Sequence, residues 1–440
     1  MRLSLAAIGL VAGCLACTAK EQSSRAVANA PPEGSCPSNT GITVPAGFCA
    51  TVFADSLGHV RDIAIASNGD VFVNTWSGKY FLTAPPPGGF LIGLRDSAHT
   101  GKATTIVRFG TTPATGGTGG TGIALFQGYL YAEEGPAIVR YQLPTGQLEP
   151  DSVKQTIVTD LPLTGDHPMH PFVIDTSGQL YTDLGSATNS CQVANRTENS
   201  PGHKPCTELL TRAGIWQYAA TTLNQHFGPN ARYATGIRNA VGMAIDGSGQ
   251  LWSTQHGRDQ LGENWPKLYT LPQSAELPAE ELLKIEKGAD YGWPECYYDG
   301  DQKALVLAPE YGGNGGKAVA VCASKVAPAV YFPGHWAPDG LTFYNGSMFP
   351  SHYRGGAFIA FHGSWNRSVG PQEGYSVVFV PFANGAPSGP YEVFADGFAG
   401  QYVQPDKAAH RPVGVAVAPD GALFITDDAH GRIWRVTYRQ

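Results

Sequence analysis

The chain has 440 residues and a formal net charge of −7 with no long lysine or arginine run, which removes the electrostatic case for a nucleic-acid partner. Its 55 glycines, 33 prolines, 19 tyrosines and 19 phenylalanines favour many short strands and tight turns over long helices. Such a length would hold two or three average domains, yet all-β propellers and barrels use it as one body.

The first residues, MRLSLAAIGLVAGCLAC, start with Arg2 and carry an apolar run from Leu3 to Val11. That run is too short to span a bilayer, so it predicts a secretion signal over residues 1–13. Val11-Ala12-Gly13-Cys14 resembles a bacterial lipobox, which would leave Cys14 as a lipidated first residue; an ordinary signal cleaved elsewhere is the alternative. Both readings predict export, to the periplasm or to a membrane surface contacted only through the lipid. Residues 14–35 are small, polar and without apolar periodicity, which predicts a tether, and residues 36–440 the folded domain.

Six cysteines remain beyond Cys17. In an oxidising compartment an even number predicts disulfides, and the nearest-neighbour scheme pairs Cys36 with Cys49, Cys191 with Cys206, and Cys296 with Cys322.

From Cys36 onward one pattern recurs: an apolar stretch, a turn on glycine, then a second apolar stretch. It appears as RDIAIASNGDVFVNT from Arg61, GIALFQGYLYAEEG from Gly122, HPFVIDTSGQLYTDLG from His170, VGMAIDGSGQLWSTQHG from Val241, DGLTFYNGSMFP from Asp339 and VGVAVAPDGALFITDDAHG from Val413. The turn glycines are 50 to 97 residues apart, by subtraction between Gly69, Gly128, Gly178, Gly249, Gly346 and Gly421. That is room for a four-stranded sheet plus loops. A lone strand pair cannot bury both faces, whereas six sheets packed radially can, so the expectation is an all-β, six-bladed propeller. GIWQYA from Gly214, YSVVFVPF from Tyr375 and GRIWRVTY from Gly431 read as strands that follow the hairpins. Gly47–Asp55 precedes the first copy without a hairpin of its own and is expected to complete the last blade. The long insertion before Gly346 contains the one predicted helix, PAEELLKIEK from Pro278 to Lys287. Gly116–Gly122, GGTGGTG, lacks the context of a phosphate loop and reads as a flexible loop beside the channel.

Residues leading into the inner strands share a chemistry. Counting back 11 from the turn glycine gives His167, Arg238 and His335, 10 back gives Arg411, and 8 back gives Arg61. Five like groups at one channel mouth repel unless an anion compensates, so the pattern predicts a pocket for a polyanionic ligand, with Asp62, Asp166 and Asp339 as partial partners. Arginines bonding loop carbonyls and nearby aspartates are the bland alternative. Further on, Gln255-His256-Gly257-Arg258-Asp259 is a turn whose oxygens suit a hard cation such as calcium.

Together GDHPMHPFVIDTSGQLYTDLGS, ATGIRNAVGMAIDGSGQLWSTQHGRD, GADYGWPE, FHGSWNRS and RPVGVAVAPDGALFITDD resemble the quinoprotein sugar dehydrogenases, the glucose and sorbosone dehydrogenase family, and its sorbosone branch more than its glucose branch. The resemblance covers roughly Val44 to Tyr438. It implies a six-bladed propeller, the cofactor pyrroloquinoline quinone with Ca²⁺, and oxidation of an aldose or sugar aldehyde at C1, electrons passing to an external quinone or cytochrome. It implies that His167 is the general base, with Asp166 orienting or charge-stabilising it and His170 packing nearby. Arg238 and Asn239 would contact the quinone, and Arg61, His256, His335 and Arg411 would also face the cofactor. Gly257, Arg258 and Asp259 would form the calcium turn. Three departures stand out: Val413 replaces a second arginine of the glucose branch, Arg367 in GSWNR stands in for a lysine, and His256 replaces a glutamine. A calcium-dependent propeller lactonase and a non-catalytic glycan- or protein-binding propeller are the alternatives.

Overall fold

The computed structural model describes residues 36, 40–75, 86–110 and 120–439. The expected secretion signal, lipobox cysteine Cys14 and tether lie outside the described residues, and of GGTGGTG only Gly120–Gly122 lie within them. The six repeats become six blades of four antiparallel strands arranged around one axis, the second extended by the two-residue strand Gln225–His226, which pairs parallel to Lys154–Thr159. The first four blades begin with the strands Ile63–Ile65, Ile123–Phe126, Phe172–Ile174 and Met243–Ile245, and the last two with Pro338–Phe343 and Pro412–Val417. These innermost strands touch their successors all the way round, Pro412–Val417 returning to Ile63–Ile65.

Their close approach depends on glycine. A Cβ on Gly340 would sit 2.0 Å from the Val413 carbonyl oxygen, and one on Gly414 would sit 2.6 Å from the Arg61 carbonyl oxygen. Val413 is a buried core residue of the sixth blade's inner strand.

The ring closes as the sequence predicts. Strand Phe48–Ala54 pairs antiparallel with Ile433–Tyr438, so the N-terminal segment supplies the outer strand of the last blade. Phe48 anchors it, its ring lying edge-on to Phe349 at 4.8 Å, Tyr438 at 4.9 Å, Phe394 at 5.0 Å and Tyr353 at 5.3 Å between centroids. Such contacts add to the area buried by the ring. All three disulfides follow the nearest-neighbour scheme, a covalent pattern that needs an oxidising compartment. Among the described residues no helix is long and apolar enough to cross a membrane.

Two expectations are corrected. PAEELLKIEK is not a helix: Glu280–Lys284 is the third strand of the fourth blade, paired with Leu251–Gln255 and Val330–Phe332. Its first four residues are all buried, so both faces meet protein and the helical spacing has no solvent side to serve. Helix occurs earlier in the insertion, at Leu261–Asn264 and at Leu271–Glu276, the latter capped reciprocally by Thr270 and Gln273. In the fifth copy, Gly346 is not the hairpin turn, because Pro338–Phe343 pairs with Ala357–Phe361. The intervening loop packs instead: Tyr344 stacks on Phe349 at 4.5 Å, and its hydroxyl donates to the Gly421 carbonyl and accepts from the Phe349 amide.

Closure by Phe48 is testable. Phe48→Ala should cost about 3–5 kcal/mol, the usual range for emptying an aromatic core site, measured by urea unfolding. A cost below about 1 kcal/mol would mean that the first strand is dispensable for closure.

Candidate active site

The loops that enter the inner strands line a cleft of about 820 Å³ at one end of the axis. All five entry residues, Arg61, His167, Arg238, His335 and Arg411, line it together with Asp166, Asn239, His256, Gly257 and Asp259. The entry loops are set by polar side chains at the ends of second strands. Gln255 accepts the Arg238 backbone N–H at 2.8 Å, Asp427 accepts that of Arg411 at 2.7 Å, and Glu133 accepts that of His170 at 2.9 Å. A buried backbone donor left unpaired is costly, so these contacts fix where each entry side chain begins. His170 faces inward to Glu133 and the Pro162 carbonyl, a packing position as expected.

His167 is 8% exposed. Its Nδ1 lies 2.9 Å from the Ser186 carbonyl oxygen and 3.1 Å from Ser186 Oγ. A carbonyl can only accept, so Nδ1 carries the proton and the neutral ring holds its lone pair at Nε2. Burial first, then the charge of Arg238, holds the imidazole pKa well below its usual 6.5. The sequence assigned the orienting role to Asp166; Ser186 performs it. Asp166 instead accepts from Arg196, at 3.2 Å from Nε and 3.0 Å from Nη2.

The cluster is not a bare basic ring. Six carboxylates line the cleft (Asp166, Asp259, Glu280, Asp339, Asp406 and Asp428) against four guanidinium groups (Arg61, Arg196, Arg238 and Arg411). Arg61 Nη1 meets Asp428 at 2.6 Å and its Nη2 meets Asp339 at 3.4 Å. Arg238 Nη2 donates to Asp259 at 2.9 Å, its Nη1 to the Gly257 carbonyl at 2.9 Å and its Nε to the Asn189 carbonyl at 3.0 Å. The expectation that the arginines await an anion is therefore corrected for Arg61 and Arg238, whose buried charges are paired where they lie; Arg411 donates only to the carbonyls of His362 and Gly363. Asp62 takes no part in this pairing through Oδ1, which accepts the Ile63 amide.

Asp259 carries the most of this pairing. Oδ2 accepts from Arg238 and Arg196, each at 2.9 Å, and Oδ1 from Asn366 at 2.6 Å. Burial alone would raise its pKa, but the Arg238 and Arg196 charges outweigh burial and hold the carboxyl far below the carboxylate range. Asp339 behaves alike: burial is outweighed by Arg61 and by His256, whose Nε2 lies 3.0 Å away. For His256, burial would depress the pKa, but the Asp339 carboxylate raises it above the usual value. His335 donates from Nε2 to the Ser274 carbonyl at 2.7 Å and accepts at Nδ1 from Asn366 at 3.2 Å.

Two assigned side chains are elsewhere. Arg367 points away from the cleft and donates to the carbonyls of Pro371 and Gly334 and to Glu276; its neighbours Trp365 and Asn366 take the lining position. Arg258 is likewise turned away from the cleft, buried against Glu310 and Asn264, so only its backbone is available to a cation at that turn. Residues missed from the sequence are Arg196, Glu280, His362, Trp365, Asn366 and Asp428. Asp428 and His362 sit inside the quoted motifs, and His362 Nε2 meets Asp428 at 2.8 Å. Arg196 had no signal beyond its place within the Cys191–Cys206 loop.

The family described as TrAA12-like matches residues 42–439. An uncharacterized protein of Borreliella burgdorferi is 31% identical over 211 residues, 47% of this chain and 48% of its own length. A pyrroloquinoline quinone-dependent pyranose dehydrogenase of Coprinopsis cinerea is 26% identical over 231 residues, 45% of this chain and 30% of its own length. The chain thus spans about half or less of the length of these curated relatives. Among solved structures, a family AA12 enzyme of Trichoderma reesei superposes with a TM-score of 0.71 at 21% identity, covering 90% of this chain and 97% of that one, a likeness of fold.

Removing the central carboxylate tests the pairing. Asp259→Asn leaves two guanidinium groups short of their counter-charge, and breaking a buried pair costs about 3–5 kcal/mol. Chemical denaturation should read that loss; a change below about 1 kcal/mol would show that solvent screens the cluster.

Proposed function

Because the chain belongs to the TrAA12-like family, we propose that it is a quinoprotein oxidoreductase that oxidises an aldose or sugar aldehyde at C1, with His167 as general base. The observation that carries the proposal is the tautomer of His167: Nδ1 is tied to Ser186 and Nε2 is left as the basic atom of a residue that lines the cleft. A base with a depressed pKa is present in its working form at neutral pH. The name of the Coprinopsis cinerea relative and the resemblance of the motifs support pyrroloquinoline quinone as the cofactor.

The donor set fits such a group. Arg411 is clamped through Nε and Nη2 to the carbonyls of His362 and Gly363, at 3.1 and 2.8 Å, while its Nη1 takes no protein partner among the described residues. That is a preset donor for a carboxylate. Arg61, Arg238, Asn239, His256 and His335 would complete the set, without Arg367. A volume of about 820 Å³ lies in the ordinary range for cofactor sites. Six carboxylates against four guanidinium groups would repel a tricarboxylate on its own, so a divalent cation belongs to the proposal. Calcium held at the Gly257, Arg258 and Asp259 turn would supply that charge.

Bound there, the quinone supplies a hydride acceptor. The chain's own part is to take the C1 hydroxyl proton at His167 Nε2, to hold that ring through Ser186, and to keep Arg238 fixed beside it through Asp259, where its charge favours anionic oxygen. Asp166 acts at one remove, by holding Arg196. The acceptor of the electrons would be an external quinone or cytochrome. Export to the periplasm or to a membrane surface fits the three disulfides.

Two measurements test this. Pyrroloquinoline quinone and calcium added to the purified protein should give dye reduction with at least one aldose, and absence of any spectral change or activity over an aldose panel would sink the proposal. His167→Ala should lower kcat by about 10²–10⁴, the range for losing a general base, with cofactor affinity nearly retained; equal loss of both would make His167 a binding contact.

A further inference from the structure

Between the second and third strands of the third blade, Gln179–Leu184 and Gly214–Ala219, the chain makes a long excursion that the Cys191–Cys206 disulfide closes into a loop. Three of its residues have left-handed backbone: Cys191 at φ 52°, Arg196 at φ 55° and Asn199 at φ 54°. Asparagine tolerates that region, whereas cysteine and arginine rarely enter it. Such strain persists only where the surroundings over-determine it, and it gathers at functional sites. Gln192, 2% exposed, accepts the Arg196 N–H at 2.9 Å and donates to the carbonyls of Thr197 at 3.2 Å and Ser200 at 3.3 Å, so it grips the backbone on both sides of Arg196. The disulfide shares a buried cluster with Trp293, and the His203 N–H closes back onto the Cys191 carbonyl at 2.9 Å.

This frame presents one guanidinium. Arg196 donates from Nε and Nη2 to Asp166 at 3.2 and 3.0 Å, from Nη2 to Asp259 at 2.9 Å and from Nη1 to Gln260 at 3.1 Å. Fold stability does not account for the strain. Asp259 already has a counter-charge in Arg238, and the Arg196 and Asp166 side chains are 28% and 26% exposed, where an ion pair contributes little. The two carboxylates matter for another reason. Asp166 adjoins His167 in the chain, and the Asp259 charge opposes the depression of the His167 pKa. A carboxylate turned onto the imidazole would favour the protonated ring, which cannot act as a base.

We propose that Arg196 is a positioning residue: the clasped, strained loop holds its guanidinium across Asp166 and Asp259, so that neither carboxylate pairs with His167 and the ring stays neutral. It acts through the two carboxylates and not on the substrate. That His167 is a base rests on the proposed oxidation, whereas its protonation is read without turnover. Arg238, Asp259 and His256 act on the ring, Asp166 precedes it, and Asp183 flanks Gly185 together with it. Of these, Asp166 and Asp259 are the ones that bond Arg196. Removing the guanidinium takes a positive charge from the site and a counter-charge from each carboxylate, and all three changes raise the imidazole pKa.

Histidine NMR titration of the cofactor-free protein, with His167→Ala to assign the signal, tests this. His167 should titrate below 6.5 in the wild type and about 1 pH unit higher in Arg196→Gly. Arg196→Lys, which keeps the charge, should recover at least half of that difference. Glycine also relieves the left-handed backbone, so Arg196→Gly should unfold in urea at or above the midpoint of Arg196→Ala while the two titrate alike. Titrations that followed stability instead would mark a merely structural loop and overturn the proposal, as would an unchanged titration in Arg196→Gly. Opening the clasp with Cys191→Ala/Cys206→Ala should reproduce the rise, and a wild-type titration there would overturn the part given to the disulfide. In the loaded enzyme, the acidic limb of kcat/KM in Arg196→Gly should rise with the titration while KM above that limb changes less than threefold. A KM defect with the limb unmoved would make Arg196 a sugar contact and contradict the proposal. The expected rise without oxidation of any aldose would uphold the role of Arg196 and reject the proposed activity.

Discussion

The cleft depends on the charge pairing around Asp259. Its carboxylate holds Arg238 and Arg196 on one oxygen and Asn366 on the other, so it joins the loop after the third blade's second strand, which carries Arg196, and the loop entering the fourth blade's inner strand, which carries Arg238, to the loop that presents Trp365. A buried guanidinium without a counter-charge is too costly to persist. With the pair made, Arg238 stays close enough to His167 to help depress its pKa. One carboxylate therefore sets both the shape of the site and the protonation of its base.

The propeller makes that pairing possible by bringing distant residues together. Arg61 and Asp428, which meet at 2.6 Å, come from opposite ends of the domain, and they meet because Phe48–Ala54 closes the ring against Ile433–Tyr438. Glycine on the innermost strands lets the blades approach until the backbone of one nearly touches the next, as Gly340 does with Val413. The entry side chains then converge on a narrow mouth rather than a wide pore.

Much of this was legible in the sequence. The repeat of apolar stretch, glycine turn and apolar stretch predicts the blades, because the two-residue period and the turn chemistry are local properties. Entry positions 10 or 11 residues before the turn glycine place His167, Arg238 and Arg411 in one cleft. What failed was long-range: the fourth blade's Glu280–Lys284 reads as helical because a strand buried on both faces has no alternation to betray it. The fifth copy's Gly346 imitates a turn that the packing of Tyr344 on Phe349 displaces. Counter-charges were misassigned for the same reason. Asp166 is next to His167 in sequence but bonds Arg196 in space, while Asp259 and Asp428 arrive from other loops. Arg367, adjacent to the lining Asn366, is drawn off by the Pro371 and Gly334 carbonyls and Glu276.

The central claim is that a neutral His167, held by Ser186, is the base. Only the unprotonated ring can accept the substrate proton, and burial together with Arg238 lowers its pKa, with the Ser186 carbonyl and the Asp259 charge opposing and the His256 charge reinforcing the shift. Protonation therefore begins at a lower pH than for a free imidazole. The pH dependence of kcat/KM in the cofactor-loaded enzyme tests this most directly. The account predicts an acidic limb below 6.5, so that catalysis persists as the pH falls through the ordinary imidazole range. A limb at or above 6.5 would contradict it.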